Sequence, residues 1–417
     1  MSKQTNIRTK LTLASATLLQ VGSAGAADAQ DAWDISSAFM IYQENDGRVT
    51  AIEPVINGRR VIADGEIVNV KLVLDSLTGA SPNGAKIDTT KIQTFTNPSG
   101  KKPYYTPIGE TPLDDTFLDT RVAVSGSWEM PVLDEYSRII VGGNVSKEFD
   151  YTSLGVSANF LRDYNNRNTT LSAALGLNSD TISPSGGIPT PFANMKEAGT
   201  GTNRDGADDS KTISDIMFGV TQVINRRTLM QFNLGISSTS GYMNDPYKVI
   251  SLVDGSGALV TPALNNLPYI YENRPDSRSR TTFFWKTVYH LTEDVINASY
   301  RYYTDDWGID SHTIDLHYRY ELDNGNYLQP HLRYYTQTAA DFYTTSLVDT
   351  AARPEFASAD YRLGEFVTNT YGLKYGMPTG ENSEFTVRAE MISQVQSDDI
   401  TADLDSFILQ FGYDFRF

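Results

Sequence analysis

The residues with most chemical potential crowd the C-terminal third: Lys286, His290, Arg301, Asp315, His317, Arg319, His331 and Arg333. In an extended chain, residues two apart share a face. Asp315, His317 and Arg319 therefore project together, as do His331 and Arg333. Imidazole and guanidinium groups on one face attract anions. An Asp-x-His pair could instead position a water for general-base attack. Asp310-x-His312 repeats that spacing, whereas Ser311 and His312 are adjacent and point to opposite faces. The acid pairs Asp208-Asp209, Asp305-Asp306 and Asp398-Asp399 offer the oxygen ligands that calcium prefers. None shows the spaced acids of a calcium loop, so solvation or bridging to lipopolysaccharide phosphates through divalent ions fits them better. Cys is absent, and no P-loop or paired-His zinc motif occurs. No cofactor and no metal site is assigned.

The elements that would position these residues are strands. Val68, Val70, Leu72 and Leu74 alternate with Asn69, Lys71 and Asp75; Val122, Val124, Trp128 and Met130 alternate with Arg121, Ser125, Ser127 and Glu129. Ionised groups alternating with aliphatic ones describe a wall between lipid and a wet lumen. About sixteen such strands can be traced. Their connections are tight at one end, and the long ones fall near 78–115, 179–210, 241–276 and 336–364 at the other. Short turns at one end, long loops at the other and an even strand count characterise membrane barrels. The fold expected is all-β, a transmembrane antiparallel β-barrel. Trp33, Trp128, Trp285 and Trp307, with Tyr300, Tyr302, Tyr318 and Tyr320, would form its interfacial girdles.

Both ends of the chain agree with this fold. Lys3, Arg8 and Lys10 precede a short apolar stretch and a small-residue cleavage site, predicting a signal peptide over 1–26 and a barrel over 27–417. The last stretch, LDSFILQFGYDFRF, is apolar or aromatic at every second position and ends on Phe417. Phe411, Tyr413, Phe415 and Phe417 resemble the terminal signal that the barrel-assembly machinery recognises, placing the protein in a Gram-negative outer membrane. The mean hydropathy of −0.34 suits strands of which only every second residue must be apolar. A formal charge of −17 argues against a nucleic-acid partner.

With the apolar set facing lipid, Lys286, Arg301, His317, Arg319, His331 and Arg333 form a basic lumen strip. A three-residue connection near Asn324-Gly325 would set His317 opposite Arg333 and Arg319 opposite His331. Like charges so placed need a compensator. It could be an acidic counterpart drawn from Glu129, Asp215, Asp315 and Glu390, giving an electrostatic screen across a constriction, or an anionic solute.

Three stretches resemble one family of exported bacterial proteins, the domain of unknown function 3570: residues 41–61 (IYQENDGRVTAIEPVINGRRV), 70–84 (VKLVLDSLTGASPNG) and the Phe-terminated end. The resemblance implies an outer-membrane location and supplies no activity or site residues. It also suggests a conduit serving a periplasmic redox or maturation pathway. Within 70–84, the hinge at 77–84 could fold as a plug-like or lid element. The reading is a non-enzymatic conduit for small hydrophilic, including anionic, solutes. The alternative is a plugged structural or assembly barrel that binds a periplasmic or lipoprotein partner. A rim hydrolase of omptin type is the remote third reading.

Overall fold

The computed structural model describes residues 32–63, 65–398 and 403–417. The proposed leader, 1–26, lies outside the described residues, as does Asp399. Sixteen long strands form the wall: β1 (Trp33–Glu44), β2 (Thr50–Ala63), β3 (Glu66–Pro82), β4 (Leu113–Val132), β5 (Asp134–Lys147), β6 (Tyr151–Tyr164), β7 (Thr169–Ile182) and β8 (Asp209–Asn225). They continue as β9 (Thr228–Gly241), β10 (Ser277–His290), β11 (Val295–Asp305), β12 (Asp310–Glu321), β13 (Tyr327–Gln337), β14 (Phe366–Gly380), β15 (Ser383–Gln396) and β16 (Leu404–Arg416). Each pairs with its sequence neighbours, and β1 pairs antiparallel with β16, so the sheet closes into a barrel and no edge remains.

Ile52, Ile56, Val70, Leu74, Val122, Leu154, Val156, Leu175, Phe218 and Leu234 are exposed on the outer face. So much uncovered aliphatic surface suits acyl chains, not water. The polar alternates face inward. On β16 and at the residue after it, Phe411, Tyr413 and Phe417 are exposed, and the Tyr413, Phe415 and Phe417 rings stack at 5.4 and 5.8 Å. Trp307 does not join a girdle as expected. It is buried in the β11–β12 connection, edge-on to Phe342 at 5.0 Å, with its indole N–H given to the Ser277 carbonyl.

The long connections run 83–112, 183–208, 242–276 and 338–365. They are shorter than the sequence suggested, because polar Ser, Thr and Asp residues continue the strand pairing above the apolar belt. Gly79 still pairs with Phe117, and Pro82 with Leu113. These connections are not loose loops. Short strands Asn194–Lys196, Asn266–Tyr271, Val249–Val253 and Ser346–Val348, drawn from three of them, make one sheet. The fourth adds Phe95, stacked on Tyr269 at 4.5 Å and on Tyr104 at 5.1 Å. Their roots on β3–β4 and β9–β10 are six strands apart in a ring of sixteen. Segments rooted so far apart can meet only across the mouth, which makes the assembly a cap.

The cap has two apolar cores, one around Phe95, Met195, Val249 and Tyr269, the other around Ile250, Leu252, Ile270 and Ala359. Beside them lies a buried ion network. Arg274 meets Glu272 at 2.7 Å and Asp360 at 2.9 Å, and Arg362 meets Asp245 at 2.8 Å and also clasps Asp360. Burial alone would raise the Asp360 carboxyl; Arg362, Lys248 and Arg274 outweigh it and hold the group far below the usual carboxylate range. The hinge at 77–84 takes part. Asn83 accepts from the Val249 amide at 2.8 Å, and a Cβ on Gly84 would fall 2.7 Å from the Val249 carbonyl oxygen.

Candidate functional site: the lumen wall of β10 to β15

Register places the inward residues in levels. Lys286, Ser299, Asp315, Arg333 and Thr370 share one level across β10 to β14. One inward step toward the short turns lie His317, His331, Gly372 and, on β15, Glu390. Arg301 stands one step toward the cap, opposite Thr313.

This corrects the expected register. His317 pairs with His331 and Asp315 with Arg333; the two basic residues His317 and Arg333 do not face each other. The connection spans 322–326, five residues, and contains a turn with positive φ at Asn324 and Gly325. Arg319 lies near that turn, where it pairs with Glu321 and covers the Tyr327 ring at 3.6 Å. It is not opposite His331.

The two imidazoles stack, with centroids 4.0 Å apart and planes within 10°. Asp315 lies against both: one oxygen is 2.9 Å from His317 Nε2, the other 3.1 Å from His331 Nε2. His331 Nδ1 is 2.9 Å from Glu390. That last contact spans the intervening strand β14, where Gly372 leaves the gap; a Cβ there would sit 2.9 Å from Glu390 Cγ and 3.2 Å from His331 Cβ. Glu390 therefore belongs to the basic strip and does not oppose it. Among the described residues, Lys286, Arg301 and Arg333 make no ion pair and no side-chain hydrogen bond. Asp315 acts electrostatically on Lys286 and Arg301, but its oxygens are already engaged by the imidazoles.

The remaining expected acids are elsewhere. Glu129, on β4, lies across the lumen, where Arg138 holds it at 3.2 Å, so it is not a free acidic counterpart. Asp215 is on β8, within electrostatic reach of Arg280. Of the two Asp-x-His spacings, Asp315 and His317 come together at 2.9 Å, midway along β12 and not at the rim, whereas Asp310 and His312 do not pair with each other. Asp310 and His312 face outward, bonded to Tyr302 at 3.0 Å and Tyr300 at 2.7 Å, and Ser311 points the other way. Of the acid pairs, Asp305 is occupied by Arg278, Tyr303 and the amides of Trp307 and Ile309.

The expectation of a plug or lid rested on the hinge at 77–84 alone; the shared sheet of the cap and its ion network were not foreseen. The run Val249-Ile250-Ser251-Leu252-Val253 carries the apolar continuity of a strand buried on both faces, and that signal was available. Glu272 and Ser358, joined at 2.5 Å but 86 positions apart, carry no sequence signal.

Solved structures that align along the chain include OccK3 (OpdO) of Pseudomonas aeruginosa, at 10% identity over 93% of this chain and 96% of that one, with a TM-score of 0.43. The CymD monoaromatic hydrocarbon channel aligns at 6% identity over 93% and 89%, with a TM-score of 0.42. A mutant ferric enterobactin receptor, PfeA of P. aeruginosa, aligns at 10% identity over 89% of this chain and 54% of its own, with a TM-score of 0.45. No curated protein matches the sequence. A family profile matches residues 8–415, nearly the whole chain, and by that match the protein belongs to the family described as "Protein of unknown function (DUF3570)".

Proposed function

We propose that the protein is an outer-membrane conduit for small anionic solutes, with the cap narrowing its outer mouth. The observation that carries this reading is the absence of ion-pair partners on Lys286, Arg301 and Arg333, three inward cations on β10, β11 and β13. Fixed charges lining a pore select by sign and strength of field, and a cation already neutralised by a carboxylate contributes little. These three retain their field for a solute.

The test is planar-bilayer conductance of the refolded chain under a salt gradient. Anion preference is expected, reduced by Lys286→Ala and reversed by the double change Lys286→Glu, Arg333→Glu. Cation preference in the unaltered chain would overturn the reading. The dry cores of the cap favour a second reading, a plugged barrel serving a periplasmic or lipoprotein partner. Arg362→Ala strips one partner from each of Asp360 and Asp245 and should loosen the cap. A folded barrel that stays silent both before and after this change would select the plugged barrel.

A further inference from the structure

We propose that Asp315, His317 and His331 bind one divalent transition-metal ion in the lumen wall, of the class that accepts imidazole ligands, such as zinc, copper, nickel or cobalt. Three observations converge on this site. Both imidazoles aim Nε2 at the same carboxylate, at 2.9 and 3.1 Å, and the ligand atoms of the three residues lie within 4.8 Å of one another. Ligands each ~2.0–2.2 Å from a shared ion are about 3–3.5 Å apart at right-angled to tetrahedral geometry, so an ion could replace the direct contacts once the two stacked rings splay until both planes contain it.

The second observation is Glu390. It accepts from His331 Nδ1 and so fixes the ring with Nε2 toward Asp315 and His317. A carboxylate behind a ligating imidazole both orients it and raises its basicity. In the neutral ring, a proton on Nδ1 leaves Nε2 a bare lone pair facing the Asp315 carboxylate. Two acceptors in contact need either a second proton on the ring or a cation between them. The third is Gly372, whose missing side chain is what lets Glu390 reach His331.

With an ion in place, its remaining coordination positions would open toward the lumen that Lys286, Arg301 and Arg333 also face. An anionic co-ligand could bridge ion and cations. The inference goes beyond the proposed conduit and does not depend on it, because a barrel that binds no metal can still prefer anions.

The experiment is a Co²⁺ titration of the refolded chain without a polyhistidine tag, read by its visible d–d bands, with Zn²⁺ stoichiometry from equilibrium dialysis. One ion per chain is expected, lost in the double variant His317→Ala, His331→Ala. Glu390→Gln should keep the coordination spectrum but weaken binding by about 10–100-fold. Asp119→Asn, in the acidic group Asp119, Glu148 and Asp150 at the rim, should change nothing. Each variant is first checked for the heat-modifiable gel shift of a folded barrel. No Co²⁺ spectrum from the unaltered chain would overturn the proposal. So would an unchanged spectrum in the double-histidine variant, and so would loss of the ion in Asp119→Asn.

Discussion

The lumen has two walls that solve the same electrostatic problem in opposite ways. Strands β4 and β12 are eight apart in a ring of sixteen, so their neighbourhoods face each other. On the β1 to β6 wall, Arg59 pairs with Asp34 at 3.3 Å, Arg121 with Asp75 at 3.3 Å and Glu53 at 3.5 Å, and Arg138 with Glu129 at 3.2 Å and Asp163 at 3.0 Å. On the other wall Arg319 pairs with Glu321 and Arg388 meets Glu390 at 3.5 Å, but Lys286, Arg301 and Arg333 stand without ion pairs, while Asp315 and Glu390 serve two histidines. A charge whose partner is built into the same wall maintains that wall. A charge left unpaired in a wet lumen remains available to whatever enters. The difference separates scaffold from candidate site without appeal to any relative.

The sharpest break of this comparison removes one arginine from each wall. Arg121 and Asp75 are 3% and 5% exposed. Arg121→Ala would leave Asp75 and Glu53 uncompensated and should destabilise the barrel by about 3–5 kcal/mol, the usual cost of removing one member of a buried pair. Arg333→Ala leaves no orphaned partner and should change stability by about 0.5 kcal/mol or less. Denaturant unfolding in lipid or detergent, followed by the gel shift, reads both. Equal losses would erase the distinction between the walls.

A smaller effect is expected at Gly372. In Gly372→Val the added side chain would overlap Glu390 Cγ and His331 Cβ and push the two strands' side chains apart. The cost should be about 1–3 kcal/mol, as for other overpacked sites. The histidine NMR signals should show His331 released from Glu390 while His317 keeps its contact with Asp315. If both histidines are unmoved, Gly372 is not what permits the bridge.

These two sites also mark where the sequence was legible. Strand count, closure and the segregation of long connections follow from period-two patterning, which every strand repeats. The lumen-facing set at β12 and β13 follows too, because alternation fixes the face. The pairing within that set does not. Sliding one strand by two residues keeps every side chain on its face, so only the turn decides whether His317 meets Arg333 or His331. That choice rests on the conformation of Asn324 and Gly325 in a five-residue connection, for which the sequence Asp-Asn-Gly-Asn allows several. The cap was hidden for a different reason. Its residues come from four separate connections, and nothing periodic links Phe95 to Tyr269 or Arg274 to Asp360.

The last expected effect concerns pH and is local, and it should distinguish the rim above the paired wall from the cap. Glu148, between β5 and β6, is pushed up to about 8, first by burial and then by the neighbouring Asp119. A carboxyl raised in the fold binds its proton more tightly there than in the unfolded chain. Its contribution is therefore full below the unfolded value near 4.5 and is lost as pH rises through about 8. Asp360 is depressed, so its contribution is full above the unfolded value of 3.8 and is lost only as pH falls below it. Hydrogen exchange at the Phe149 and Tyr151 amides should accordingly quicken, after correction for intrinsic rates, between pH 6 and pH 9. Over the same interval the amides of Ala359 and Arg362 in the cap should not respond. Glu148→Gln should flatten the rim response and leave the cap as it was, since glutamine has no proton to lose. A rim response that survives Glu148→Gln would place the titrating group elsewhere.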